Sequence, residues 1–102
     1  MNIENIKSVY FVGAGGIGMS ALIRYFLSKG KLVAGYDRTP SELTEHLIAE
    51  GAQIHYEENV DLIPEACKNM ESTLVVYTPA VPQKHAELVY FRNNGFEIQK
   101  RA

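Results

Sequence analysis

The sequence predicts an α/β fold: a single five-stranded parallel sheet, in the order 3-2-1-4-5, with helices on both faces in three layers. Three observations carry this reading. Short apolar runs alternate with stretches of helical periodicity, and the runs lack the polar alternation of a half-exposed sheet. The first run passes into a cluster of glycines that opens directly into an amphipathic helix. Strands and helices alternating at this spacing imply right-handed crossovers between parallel neighbours.

Residues 8–12, Ser-Val-Tyr-Phe-Val, are the first strand. Beyond the glycines, Met19, Leu22, Ile23, Phe26 and Leu27 recur at helical spacing, and Gly30 is placed to end that helix in a left-handed conformation. Residues 31–36 read as the second strand, ending at Asp37. Thr39-Pro40-Ser41-Glu42 reads as a helix start, with Thr39 as N-cap, Pro40 in the first position and Glu42 closing a capping box. Leu43, Leu47 and Ile48 supply its buried stripe and Gly51 its stop, before a third strand over 53–56. Pro64 excludes one long helix across 57–72 and allows a short one over 64–70. Residues 73–77, Thr-Leu-Val-Val-Tyr, are the most strand-like run and belong in the interior of the sheet. The prolines of Thr78-Pro79-Ala80-Val81-Pro82 delay the next helix, expected over 85–94 with Ala86, Val89 and Tyr90 inward. Gly95 ends it and 96–99 form the fifth strand.

A chain of 102 residues, 46% hydrophobic, can bury a single core without disulfides or a structural metal. Its net charge of -2 gives no basic footprint for nucleic acid. No apolar run approaches a membrane span and no secretory leader is visible, so the expectation is a cytoplasmic protein without a membrane partner. The lone cysteine, Cys67, has no partner for an intramolecular disulfide and no CxxC neighbour, and reads as a packed residue.

Gly13, Gly15 and Gly18 satisfy the G-x-G-x-x-G fingerprint between a strand and a helix, the Rossmann-like arrangement that cradles a diphosphate. Gly13 permits the tight turn, Gly15 and Gly16 let backbone N–H groups approach phosphate oxygens, and Gly18 lets the helix lie close on the sheet. The helix amino terminus adds partial positive charge, and Ser20 a hydroxyl. Asp37, at the end of strand two, can accept two hydrogen bonds from a ribose diol or a base edge, with Arg38 beside it for phosphate or stacking. The other reading makes Asp37 a turn former. The loop Thr78 to Val81 reaches the same crevice at the carboxyl ends of the strands, either as a ligand contact or as a proline-stiffened connection. His46, His55 and His85 show no metal-ligand spacing, and only His55, at the end of strand three, is placed to reach a ligand. No catalytic constellation is visible. The glycines and Asp37 alone also fit an NAD(P)-binding domain of an oxidoreductase or a nucleotide sensor, or a domain that chiefly packs against others.

FVGAGGIGMSA resembles the FVGIGGxGMS-type opening of the UDP-N-acetylmuramate:L-alanine ligase (MurC) family of Mur ligases, the first of the amino-acid-adding ligases of peptidoglycan synthesis. Gly-Tyr-Asp at 35–37 is similar to the family's Gly-Ser-Asp, and Gly51-Ala52 to its Leu-Gly-Ala. His55 with Glu58-Asn59-Val60 is similar to His-x-x-Glu-Asn-Val, VVYTPAVP at 75–82 to VVxSSAIP, and Arg101-Ala102 to the Arg-Ala before the family's ATP domain. The chain carries Ala14, Tyr36 and Thr78-Pro79 where the family has Ile, Ser and Ser-Ser.

The resemblance implies an N-terminal Rossmann-like domain that binds the UDP part of UDP-N-acetylmuramate. By position, Gly15, Gly16, Gly18 and the backbone of Ile17, Met19 and Ser20 would hold the diphosphate, with Gly13 forming the turn. Asp37, Arg38 and Thr39 would address the uridine, and His55 with Thr78, Pro79, Ala80 and Val81 would wall the pocket. It further implies that ATP, magnesium and the amino acid are bound by domains of the same polypeptide beyond Ala102. This segment would then hold no cofactor and would be inert by itself.

Overall fold

The computed structural model describes residues 2–16 and 18–101. The five strands are β1 (Ser8–Val12), β2 (Leu32–Tyr36), β3 (Gln53–His55), β4 (Thr73–Tyr77) and β5 (Glu97–Lys100). They form one sheet of order β3-β2-β1-β4-β5, the order expected, with every pairing parallel. The register brings the carboxyl ends level: Val12 pairs with both Tyr36 and Tyr77, and Tyr36 with His55. Gly13, Asp37 and Thr78 therefore leave the sheet along one edge, which is what creates a crevice there.

Side chains alternate between two apolar layers, as strand geometry requires. Val9, Phe11, Val33, Leu74 and Val76 face helices α1 (Met19–Ser28) and α2 (Glu42–Ala49), meeting Met19, Ile23, Phe26 and Leu47. Tyr10, Val12, Ala34, Tyr36 and Val75 face the other way, onto Leu88 and Phe91 of helix α3 (Ala86–Asn93) and onto Ile63 and Cys67. The short helix expected over 64–70 is a 3-10 turn at Glu65–Lys68 that follows Pro64, and a second such turn covers Val60–Leu62.

Two helix readings are corrected. The N-cap of α2 is Ser41, not Thr39: the backbone stays extended at Ser41 (φ -148°, ψ 165°), and Ser41 and Thr44 make the reciprocal capping bonds. Thr39 is already committed, its N–H donating to the Asp37 carboxylate at 3.1 Å. Thr44 shares the buried face with Leu47, its hydroxyl accepting from Tyr56 at 2.9 Å, while Ile48 is 40% exposed. In α3 the inward residues are Glu87, Leu88 and Phe91, whereas Ala86 is exposed and Val89 and Tyr90 are half-buried. A carboxylate bonded inside the fold turns this helix away from the face that hydrophobicity alone selects.

Ser41→Ala is expected to lower stability by about 1 kcal/mol in urea unfolding, and Thr39→Ala to leave it within experimental error. The reverse order would restore Thr39 as the cap.

Candidate functional site

The glycine loop is held mostly by its own backbone. Gly13 and Ala14 donate to the Tyr36 carbonyl at 2.7 and 2.8 Å, Gly16 donates to the Gly13 carbonyl at 2.9 Å, and Met19 to the Gly16 carbonyl at 3.1 Å. Gly15 donates to Asp37 Oδ1 at 2.9 Å. The amides of Gly15 and Gly16, expected to face phosphate, are thus already engaged, one by Asp37 and the other within the loop. Their missing side chains matter for room: a Cβ on Gly15 would stand 3.1 Å from the Asp37 carboxylate. Gly13, at φ +94°, has Thr78 Cγ2 and Val81 where a Cβ would go. Gly18 is the N-cap of α1 at φ +80°, and a Cβ there would meet the Arg101 guanidinium at 3.4 Å rather than the sheet. Its role is the left-handed turn into the helix, not close packing on the strands.

Asp37 acts as the turn former, and it stands at the crevice as well. Oδ1 takes the Gly15 amide and Oδ2 the Thr39 amide, so the carboxylate pins the glycine loop to the turn before α2. It also lines a crevice of about 370 Å³ at the carboxyl edge of the sheet. Gly13, Gly15 and Gly16 form one end of that crevice, Asp37, Arg38 and Thr39 one wall, and Thr78, Ala80 and Val81 the opposite wall. Tyr36, Glu58, Pro82 and His85 close the far end.

Several predicted residues lie elsewhere. Met19 is fully buried, Pro79 is exposed, and neither they nor Gly18 and Ser20 line the crevice. Ile17 lies outside the described residues. His55 turns inward: its Nε2 donates to Glu87 Oε2 at 2.8 Å. Glu87 is completely buried, and it also accepts from the Tyr10 hydroxyl and from the Asn59 amide at 3.1 Å. Burial first, and the Glu87 charge second, push the Tyr10 phenol far above its ordinary value, keeping it a donor.

The histidine at the crevice is His85, buried at the N-cap of α3, with Nδ1 accepting from the Glu87 amide at 3.2 Å. Its ring packs on Tyr36, centroids 4.5 Å apart. Burial, then the carboxylates of Glu58, Glu87 and Asp37, raise the Tyr36 pKa. His85 stands at the helix start expected for it, and its place in the crevice lining is not among the expectations drawn from the sequence. The usable signal was position: the residue capping the first helix after an interior strand stands at the carboxyl edge of the sheet, where ligands bind. Among the described residues no three His, Cys, Asp or Glu side chains come together to hold a metal ion, and no helix is long and apolar enough to cross a membrane.

A family model described as "Mur ligase family, catalytic domain" matches residues 8–102. Over its whole length the chain is 70% identical to a UDP-N-acetylmuramate--L-alanine ligase of Phocaeicola vulgatus, of which it covers 22%. Over 97 residues it is 54% identical to the protein of that name from Porphyromonas gingivalis, covering 95% of this chain and 21% of that protein. The crystal structure of the UDP-N-acetylmuramate-alanine ligase of Thermotoga maritima superposes with a TM-score of 0.79 at 33% identity, over 92% of this chain and 20% of that one. The chain thus spans about a fifth of the length of these relatives.

Asp37→Ala is expected to lower the unfolding free energy by about 1–3 kcal/mol, since two amides lose a charged acceptor. An unchanged urea midpoint would leave Asp37 with a ligand role alone. A second expectation concerns alkaline pH. Burial pushes the Cys67 thiol up to about 11 from 9.0, and burial likewise raises Tyr10. Both groups lose their protons earlier in the unfolded chain than in the folded one. The Cys67 contribution is therefore full below its unfolded pKa and declines from about pH 9 through 11, while that of Tyr10 starts to fall only from about pH 10. Thermal melts between pH 7 and 11 would show it, and Cys67→Ala would flatten the first part of the fall.

Proposed function

The chain belongs to the Mur ligase family, and from that premise we propose that it is the part of a UDP-N-acetylmuramate:L-alanine ligase that holds the UDP moiety of UDP-N-acetylmuramate while L-alanine is added. The observation that carries this reading is the crevice itself. A glycine loop, an acidic residue at the end of β2 and the loop after β4 converge at the carboxyl edge of a parallel sheet, in a chain 70% identical from end to end to a ligase of that name.

The amino terminus of α1, just beyond the glycine-lined end of the crevice, receives the diphosphate, and Asp37, Arg38 and Thr39 lie along the path of the sugar of the nucleotide. Thr78, Ala80 and Val81 form the opposite wall. The role of these groups is to bind and orient. We assign ATP-driven activation of the substrate carboxyl group to the remaining length of the ligases that this chain resembles, of which it spans about a fifth. The segment alone is then a docking module without ligase activity. An oxidoreductase domain would use the same glycines, but it does not explain why full-length relatives of the chain carry the ligase name.

Titration of the 102-residue chain with UDP-N-acetylmuramate is expected to move the amide resonances of Gly13, Gly15, Gly16 and Gly18, with a dissociation constant as weak as about 1 mM. Unchanged resonances at several millimolar ligand, or tighter binding of NADH in a parallel titration, would overturn the reading.

A further inference from the structure

His85 holds a polar atom that the fold leaves without a partner. Its Nδ1 accepts from the Glu87 amide, so the neutral ring carries its proton on Nε2. That Nε2 is buried and has no hydrogen-bond partner among the described residues. Glu58 Oε1 stands 3.8 Å away, outside hydrogen-bond reach, while Glu58 Oε2 accepts from the Ala86 amide at 2.8 Å. An unpartnered buried donor and an acceptor oxygen with lone pairs to spare thus lie side by side at one end of the crevice, next to the Tyr36 ring. The Glu58 side chain is 46% exposed and can turn to admit a ring edge.

We propose that His85 and Glu58 are the base-reading pair of this crevice, a donor beside an acceptor that takes the imide edge of uracil and rejects cytosine. The proposal rests on the UDP-binding reading and adds to it the residues that choose the base. In sheets of this kind the phosphates sit at the first strand-to-helix turn and the nucleoside crosses the strand ends toward the loops after β2 and β4. Tyr36 ends β2, and His85 follows the β4 loop. Uracil offers a carbonyl oxygen beside N3–H: the carbonyl accepts from His85 Nε2 and N3–H donates to Glu58. Cytosine offers two acceptors, O2 and N3, along the same edge, and its N3 would face the Glu58 carboxylate with no proton between them.

The test is calorimetric titration of the 102-residue chain with UDP and with CDP, together with the variants Glu58→Gln and His85→Ser. Glutamine, its carbonyl oxygen kept on the Ala86 amide, presents an NH2 donor where the other glutamate oxygen accepts, and serine keeps the cap on the Glu87 amide but withdraws the imidazole. UDP is expected to bind the unmodified chain about tenfold or more tighter than CDP. Glu58→Gln is expected to narrow or invert that ratio, and His85→Ser to weaken UDP about tenfold while leaving CDP nearly unchanged. Equal affinities for UDP and CDP in the unmodified chain, with the glycine-loop amides still responding to both, would overturn the base-reading pair and leave the UDP-binding reading standing. A folded Glu58→Gln variant with an unaltered ratio would also overturn it. If either variant fails to fold by circular dichroism, the ratio in the unmodified chain decides. Failure of both nucleotides to bind would overturn both readings.

Discussion

The structure depends on a buried carboxylate and on the hydrogen-bond donors gathered around it. Glu87 is completely inside the protein, where an unpaired charge would be prohibitive. It is tolerated because three donors reach it from three parts of the chain: the Tyr10 hydroxyl on β1, His55 Nε2 on β3 and the Asn59 amide in the loop that follows. The carboxylate thereby ties the middle of the sheet, its β3 edge and the first turn of α3 together. Removing one partner of such a group leaves the rest desolvated, so its cost exceeds that of a single surface bond. The arrangement reaches the crevice too. Fixing Glu87 fixes its amide, to which His85 Nδ1 is bonded, and fixing the Asn59 amide holds the segment that carries Glu58.

Much of this fold is legible in the sequence because its signals are local and agree with one another. The apolar run 8–12, the stripe of Met19, Ile23 and Phe26, and the glycines at 30, 51 and 95 each specify their element without help, and the parallel order follows from the alternation. What escapes are the places where a polar group is bonded over a long sequence distance. Thr44 is buried because Tyr56 and Ser41 satisfy its hydroxyl, and Glu87 because residues 77 and 32 positions earlier do the same. A reading by hydrophobicity sends both side chains to solvent: in α2 it still finds Leu43 and Leu47 but takes Ile48 for Thr44, and in α3 it selects the wrong face. The crevice is legible to the same extent. Its glycines, Asp37 and the 78–81 loop are marked by motif and by position at strand ends. His85 belongs to no motif, and although its place as the cap of α3 sets it at the carboxyl edge of the sheet, its burial depends on Tyr36 and Glu87, which reach it through tertiary packing.

His55 shows the same lesson from the opposite side. A histidine at the carboxyl end of a strand in such a sheet is placed where ligands bind, and position argues for a contact. The pull of Glu87 is stronger, and the ring is drawn under the sheet edge. Position at a strand end selects candidates, and the nearest unsatisfied buried group decides among them.

The electrostatics of the crevice constrain how a UDP-sugar would lie in it. The Asp37 carboxylate, held by the Gly15 and Thr39 amides, is a fixed negative charge at the rim of the glycine loop. A diphosphate placed against it would be repelled, whereas the hydroxyls of a ribose would find an acceptor. The loop amides of Gly13 to Gly16 are engaged inside the protein, so on the proposed reading the positive end offered to the phosphates would be the first turn of α1, beside the crevice and entered through Gly18 in its left-handed conformation with the Arg101 guanidinium close by. Phosphate at the helix, sugar at Asp37 and base toward Tyr36 would be the order that opposes the phosphates to no carboxylate of the rim. It is also the order in which the strands β1 and β2 deliver their carboxyl ends to the crevice.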